Sequence, residues 1–86
     1  MNNKLYQIFV KTPKGTKVID VFKIMTINEL TLILYEKVGI PSEFYYLTHS
    51  GTCLNNNNTL ESYQIEKEST INMNIRSFIN DLTIIK

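Results

Sequence analysis

The sequence predicts an α+β fold, in which a sheet that buries one face packs against a single helix. Three observations support this prediction: a strand pair near the amino terminus, a capped amphipathic helix after it, and alternating apolar and polar residues in the carboxy-terminal half. With 86 residues and 43% apolar residues, the chain is long enough for one small domain with one core.

The first predicted element is a β-strand over residues 5–12. Ile8 and Val10 fall on one side of this segment, while Phe9 and Lys11 fall on the other. A period of two is the signature of a strand with one buried face. We therefore expect Ile8 and Val10 to enter the core.

A turn and a second strand follow, which together complete a hairpin. Residues 13–15 combine a proline, which fixes its own φ, with a glycine, which accepts a positive φ. The apolar run over residues 18–22 supplies the second strand. Because a one-residue slip inverts a strand, the pattern alone leaves its facing open. We predict that Ile19 and Val21 lie on the buried side.

The central element is a helix predicted over residues 27–38. Thr26 and Glu29 form a capping-box pattern, in which each side chain can accept a hydrogen bond from the backbone amide of the other residue. Gly39 follows the segment, at the position where a left-handed residue commonly ends a helix. Apolar residues recur at helical intervals and predict a core-facing stripe of Ile27, Leu30, Leu34 and Val38.

Two shorter elements are predicted after the helix. Residues 45–49 are a strand candidate, and a turn at residues 50–51 leads into residues 53–54, which suggests a second hairpin. After a loop rich in asparagine, Thr59 is placed to cap a helical turn over residues 59–63.

The last predicted element is a strand over residues 71–76. Three apolar side chains alternate there with polar ones, so all three are expected on the inner face of the sheet. They are Ile71, Met73 and Ile75, and the polar residues between and after them are Asn72, Asn74 and Arg76.

Three segments of the chain resemble the ubiquitin family, in the same order and with nearly the same spacing. They are Gln7 to Thr12, Gly39 to Pro41 and Thr59 to Thr70, which read QIFVKT, GIP and TLESYQIEKEST. The resemblance implies a β-grasp (ubiquitin-like) fold over residues 6–76, with a mixed sheet packed on one helix. It leaves an N-terminal extension over residues 1–5 and a C-terminal extension or start of a linker over residues 77–86. It also implies that Tyr63 holds its loop through its hydroxyl.

The covalent chemistry of this family does not fit the end of the sequence. Family members are attached to other proteins through a terminal glycine, whereas this sequence contains no glycine pair and continues after Arg76 as SFINDLTIIK. Phe78, Ile79 and Asn80 occupy the region that an activating enzyme would thread into a narrow channel. The resemblance therefore favours a non-covalent interaction module of the ubiquitin–proteasome system within a larger protein. A divergent conjugatable modifier is the alternative.

The resemblance also assigns recognition to one face of the sheet. Where the family has an apolar patch of Leu, Ile and Val with a flanking His, this chain has Pro13, Thr48, Asn74 and Asn72. Each aliphatic side chain is worth about 1.5–3 kcal/mol when fully buried, so standard ubiquitin receptors should bind this face poorly. The predicted binding surface consists of Phe9, Lys11, Pro13, Tyr46, Thr48, Asn72, Asn74 and Arg76.

Two further sets of residues are candidates for recognition or linkage. A possible secondary surface consists of Leu32, Ile33, Tyr35 and Phe44, with the alternative that Leu32 and Ile33 only widen the core face of the helix. The candidate linkage lysines are Lys11, Lys37 and Lys67, which match chain-linking lysines of the family. Most lysines are simply solvated charges, and that is the alternative here.

Composition and motifs argue against several classes of function. A net charge of +1 argues against nonspecific binding to nucleic acid or membranes, and no signal peptide or membrane span is visible, so we expect the cytoplasm and/or nucleus. His49 and Cys53 could form a catalytic dyad, but a packed histidine is the favoured interpretation. We therefore predict a monomer without enzymatic activity, cofactor or metal, whose partners are proteins of the proteasomal or ubiquitin-receptor type.

Overall fold

The computed structural model describes residues 4–76. The predicted C-terminal extension over residues 77–86 lies outside the described residues, as do residues 1–3 of the predicted N-terminal one. Short 3-10 turns cover Ser42–Phe44 and Glu61–Tyr63. The main elements are β1 (Tyr6–Thr12), β2 (Gly15–Val21), α1 (Ile27–Val38), β3 (Tyr45–His49), β4 (Thr52–Cys53) and β5 (Thr70–Ile75).

The five strands form one mixed sheet in the order β2-β1-β5-β3-β4. The central pair, β1 and β5, is parallel, and the other three pairs are antiparallel. One face of this sheet packs on α1, which confirms the predicted α+β, β-grasp architecture. Within residues 4–76 no helix is both long and apolar enough to cross a membrane.

The first hairpin has a register that settles the facing of its second strand. Thr12 pairs with Gly15, so the turn consists of two residues, and Gly15 takes a φ of 101°, which favours glycine. Ile19 is 1% exposed and Val21 is 0% exposed, as predicted. The Lys14 ammonium donates to the Val38 carbonyl at 2.9 Å and thereby ties the turn to the end of α1.

The helix begins and ends where its local signals predict. The Thr26 hydroxyl accepts from the Glu29 amide at 3.1 Å, and a Glu29 carboxylate oxygen accepts from the Thr26 amide at 2.9 Å. Gly39 has a φ of 76°, and its amide donates to the Tyr35 carbonyl at 2.8 Å. All four residues of the predicted stripe are buried, and Thr31 lies beside them with its hydroxyl bonded to the Asn28 carbonyl at 2.6 Å.

One residue of the predicted inner face of β5 is not buried. Ile71 is 0% exposed and Met73 is 7% exposed, but Ile75 is 47% exposed. Ile75 is the last residue of β5 and pairs with Tyr45, the first residue of β3, so it lies at the margin of the sheet. Alternation predicts the direction of a side chain but not whether another group packs over it.

The loop between β4 and β5 is held by one tyrosine, as the family resemblance implies. The Tyr63 hydroxyl accepts from the Asn55 amide at 2.7 Å and from the Asn58 side-chain amide at 3.0 Å. The following turn begins at Glu61, and the Thr59 hydroxyl accepts from the Ser62 amide at 3.2 Å. The predicted turn over residues 59–63 is therefore shorter and its cap position is Leu60, so Thr59 is not the cap, although its hydroxyl still bonds to the turn.

Replacement of Tyr63 by Phe should destabilise the domain because it removes both hydrogen bonds to the loop. We expect a loss of about 1–2 kcal/mol in the free energy of unfolding, measured by urea denaturation. Tyr35→Phe is the matched control, since Tyr35 is 54% exposed on the helix and should lose almost nothing. Equal effects of the two variants would show that the Tyr63 hydroxyl does not hold the loop.

Candidate functional site

The pairing of four strands brings most of the predicted binding surface together on one side of the sheet. Residues that pair directly across strands point to the same face. Since the neighbouring residues of each strand enter the core against α1, these side chains lie on the opposite side of the sheet. We call part of this side the outer sheet face: the strand residues Phe9, Lys11, Val18, Tyr46, Thr48, Asn72 and Asn74, together with Arg76, which lies over the Tyr46 ring. Of the predicted set, only Pro13 lies elsewhere, in the exposed β1–β2 turn.

The centre of the outer sheet face is a hydrogen-bonded polar cluster. The Asn74 side-chain amide donates to the Thr48 hydroxyl at 3.0 Å, to the Asn72 carbonyl at 3.2 Å and to the Tyr46 carbonyl at 3.4 Å. The two side-chain amide hydrogens of Asn74 are thus shared among three acceptors, and its side-chain oxygen Oδ1 remains available as an acceptor. The middle of the face is therefore polar where the family has aliphatic side chains.

One end of the outer sheet face carries an arginine on an aromatic ring. The Arg76 guanidinium carbon lies 5.5 Å from the centroid of the Tyr46 ring, within the range of a cation–π contact. The backbone amide of Arg76 donates to the Phe44 carbonyl at 2.8 Å, which fixes the chain at this point. Tyr46 keeps 40% of its surface exposed, so an aromatic face and a cation are presented together.

The other end of the face carries an apolar pair. Phe9 on β1 is directly opposite Val18 on β2, and Val18 is 47% exposed. Val18 was not among the predicted binding residues, although the predicted burial of Ile19 and Val21 implies that it points outward.

The predicted secondary surface does not form one unit. Leu32 is 64% exposed and Tyr35 is 54% exposed, and the two are three positions apart on the helix. Ile33 is partly buried and packs against the core, so the core-widening interpretation is right for Ile33 and wrong for Leu32. Phe44 lies in the 3-10 turn before β3, outside the helix. The candidate lysines Lys11, Lys37 and Lys67 are all exposed.

The structure does not bring His49 and Cys53 together. In the β3–β4 pair, Thr48 is opposite Cys53 and His49 is opposite Thr52. His49 and Cys53 therefore point to opposite faces of the hairpin. Among residues 4–76, no group of three His, Cys, Asp or Glu side chains could hold a metal ion.

Two tyrosine hydroxyls are affected by burial. Burial raises the pKa of Tyr45, whose hydroxyl is enclosed and has no hydrogen-bond partner among the described residues. Tyr6 donates to the Ile65 carbonyl at 2.8 Å, and its pKa is raised first by burial and then by the nearby carboxylates of Glu66 and Glu61. Both hydroxyls remain protonated at neutral pH and act as parts of the scaffold.

The strands and the helix together define a β-grasp domain whose outer sheet face is exposed. The chain matches the sequence model of the ubiquitin family over residues 8–78, and it belongs to that family. Among solved structures, it is similar to a de novo designed protein based on ubiquitin. The identity is 34%, the alignment covers 85% of this chain and 90% of that chain, and the TM-score is 0.78.

Proposed function

We propose that this chain is a ubiquitin-like domain that binds other proteins non-covalently in the ubiquitin–proteasome system. It acts as part of a larger protein in the cytoplasm and/or nucleus, as a monomer without enzymatic activity of its own. The observation that carries the proposal is the outer sheet face, where Phe9 and Tyr46 flank a fixed polar centre. In other members of the family, proteins of the proteasomal or ubiquitin-receptor type bind this face of the sheet.

The residues after Arg76 support non-covalent binding over covalent conjugation. Conjugation needs an unhindered terminal glycine, because an activating enzyme must thread the tail through a narrow channel before it adenylates the carboxylate. In this sequence, Phe78, Ile79 and Asn80 occupy the positions shortly after Arg76, where the family has its flexible arm. The exposed lysines fit a conjugatable modifier, which remains the second candidate, but lysines are ordinary surface residues.

The proposal is tested by NMR titration of the labelled chain with proteasomal receptor fragments and ubiquitin-associated domains. Because the polar centre disfavours standard ubiquitin receptors, we expect weak binding, in which the backbone amides of Phe9, Tyr46, Thr48 and Arg76 shift progressively up to the highest receptor concentrations. Tyr46→Ser should weaken these shifts, whereas Tyr35→Ser on the helix should leave them unchanged. Shifts confined to the helix would reject the outer sheet face as the recognition surface.

A further inference from the structure

We propose that residues 77–86 of this chain dock in a groove between α1 and the first part of β3. This inference goes beyond the proposed function, because it concerns a contact within the chain and not the binding of a receptor. Its support is an open stretch of the sheet edge, the groove beside that edge, and the composition and starting point of residues 77–86.

The sheet leaves one stretch of its edge uncovered. On one side, β3 pairs with β5 from Tyr45 to Thr48, but on the other side β4 pairs with β3 at Thr48 and His49. Within residues 4–76, no strand therefore covers the outer edge of β3 at Tyr45 and Tyr46. An uncovered strand edge is a place where another segment of chain can pack.

A groove of about 440 Å³ lies beside this edge, between α1 and β3. The buried side chains of Ile27, Leu47 and Leu54 line it, together with the exposed residues Ser42 and Arg76. Its volume is in the range of pockets that enclose a small organic ligand, so it has room for a few side chains. The groove joins the end of β5 to one flank of α1.

The flank of α1 at this groove carries an exposed tyrosine. Thr31 lines the groove, and Tyr35 follows one turn later on the same flank, with 54% of its surface exposed. Leu32 follows Thr31 directly, so it points about 100° away around the helix. Tyr35 therefore extends the groove with an aromatic ring, and Leu32 does not border it.

Residues 77–86 begin beside the groove and are rich in apolar side chains. The segment follows Arg76, which lines the groove and whose amide donates to the Phe44 carbonyl at 2.8 Å. Its apolar residues are Phe78, Ile79, Leu82, Ile84 and Ile85. Burial of these side chains removes apolar surface from water, which favours docking.

The length and the attachment of the segment favour it over a separate partner. Ten extended residues reach at most about 33–36 Å, which is enough to follow the groove from Arg76 to the flank of α1. Because the segment is attached beside the groove, its effective concentration there is about millimolar, whereas a separate partner must reach that concentration to compete.

The test places a spin label at the last residue of the 86-residue chain. Lys86→Cys carries the label in a Cys53→Ser background, because Cys53 is exposed and would otherwise react as well. We expect the backbone amides of Thr31 and Tyr35 to lose most of their NMR intensity. Val18 lies on β2, at the opposite edge of the sheet, and should keep its intensity. The absence of a selective loss at Thr31 and Tyr35 would overturn the inference.

A mixture of two forms of the chain separates docking within one chain from docking between copies. Spin-labelled chain without an NMR isotope is mixed with isotope-labelled chain that has no spin label. We expect no selective loss of intensity in this mixture. The same loss at Thr31 and Tyr35 would show that a second copy fills the groove, and would overturn the inference.

Substitutions in the segment test whether its apolar side chains hold it. Leu82→Ser with Ile84→Ser should restore the intensity of Thr31, since each buried aliphatic side chain changes the docking equilibrium about tenfold or more. Asn80→Ser with Thr83→Ser is the matched control at polar positions and should leave the loss unchanged. An unchanged loss in both pairs would show that apolar contacts do not dock the segment, and would overturn the inference.

Substitutions on the helix test the flank that the segment contacts. Tyr35→Ser should reduce the loss of intensity at Thr31, whereas Leu32→Ser, at an equally exposed position outside the groove, should leave it unchanged. Equal effects of the two variants would contradict docking on this flank. The groove lies beside the sheet edge, so none of these outcomes changes the receptor titration that tests the proposed function at Phe9 and Thr48.

Discussion

Replacement of Thr48 by Ile together with Asn74 by Val is expected to make the outer sheet face bind ubiquitin-associated domains at least about tenfold more tightly. The two changes remove the polar centre of the face and supply two aliphatic side chains at the positions where the family has them. A tenfold gain needs about 1.4 kcal/mol, which is less than the burial of one aliphatic side chain provides. The hydrogen bonds lost around Asn74 lie at or near the surface, so water replaces them.

The measurement is the dissociation constant from an NMR titration of both proteins with the same ubiquitin-associated domain. Thr52→Ile with Asn28→Val is the matched control, because it makes the same chemical changes at exposed positions outside the face. We expect the control to bind like the wild type. An unchanged affinity in the Thr48 and Asn74 variant, or an equal gain in the control, would show that the polar centre does not determine which receptors bind.

Replacement of Leu34 by Ala should cost about 2–5 kcal/mol of the free energy of unfolding. Leu34 lies in the middle of the buried stripe of α1 and is 0% exposed, so its removal leaves a cavity between the helix and the sheet. The net stability of small domains is about 5–15 kcal/mol, so this single change would remove a large part of it.

Leu32→Ala on the same helix is the control for this experiment. Leu32 is 64% exposed, so its truncation should change the free energy of unfolding by less than about 0.5 kcal/mol. Urea denaturation of the two variants measures the difference directly. Similar losses would mean that the helix does not pack on the sheet through the Leu34 side.

The helix could be predicted closely because its signals are local. The capping box at Thr26, the apolar stripe and Gly39 all lie within or next to the segment, and α1 spans Ile27–Val38 as predicted. The order of the strands is a different case, since periodicity does not say which distant strands pair. The parallel pairing of β1 with β5 followed only from the resemblance to the ubiquitin family.

The details of the site depended on contacts that the sequence does not contain. The pattern gave Asn74 an outward position, but its three hydrogen bonds depend on the register between β3 and β5. The outward direction of Val18 follows from the predicted burial of Ile19 and Val21, but its position opposite Phe9 required the hairpin register. Ile75 was expected to be buried and is not, because strand alternation says nothing about what covers the end of a sheet.

The central claim is that this chain acts by non-covalent binding and not by conjugation. The most direct test is to incubate the 86-residue chain with a ubiquitin-activating enzyme and ATP and to analyse the products for a thioester. Ubiquitin is the positive control, and a version in which residues 77–86 are replaced by a flexible arm ending in two glycines tests whether the folded domain itself is accepted. We expect a thioester with both of these and none with the chain as it is. A thioester formed by the unaltered chain would contradict non-covalent recognition as its mode of action.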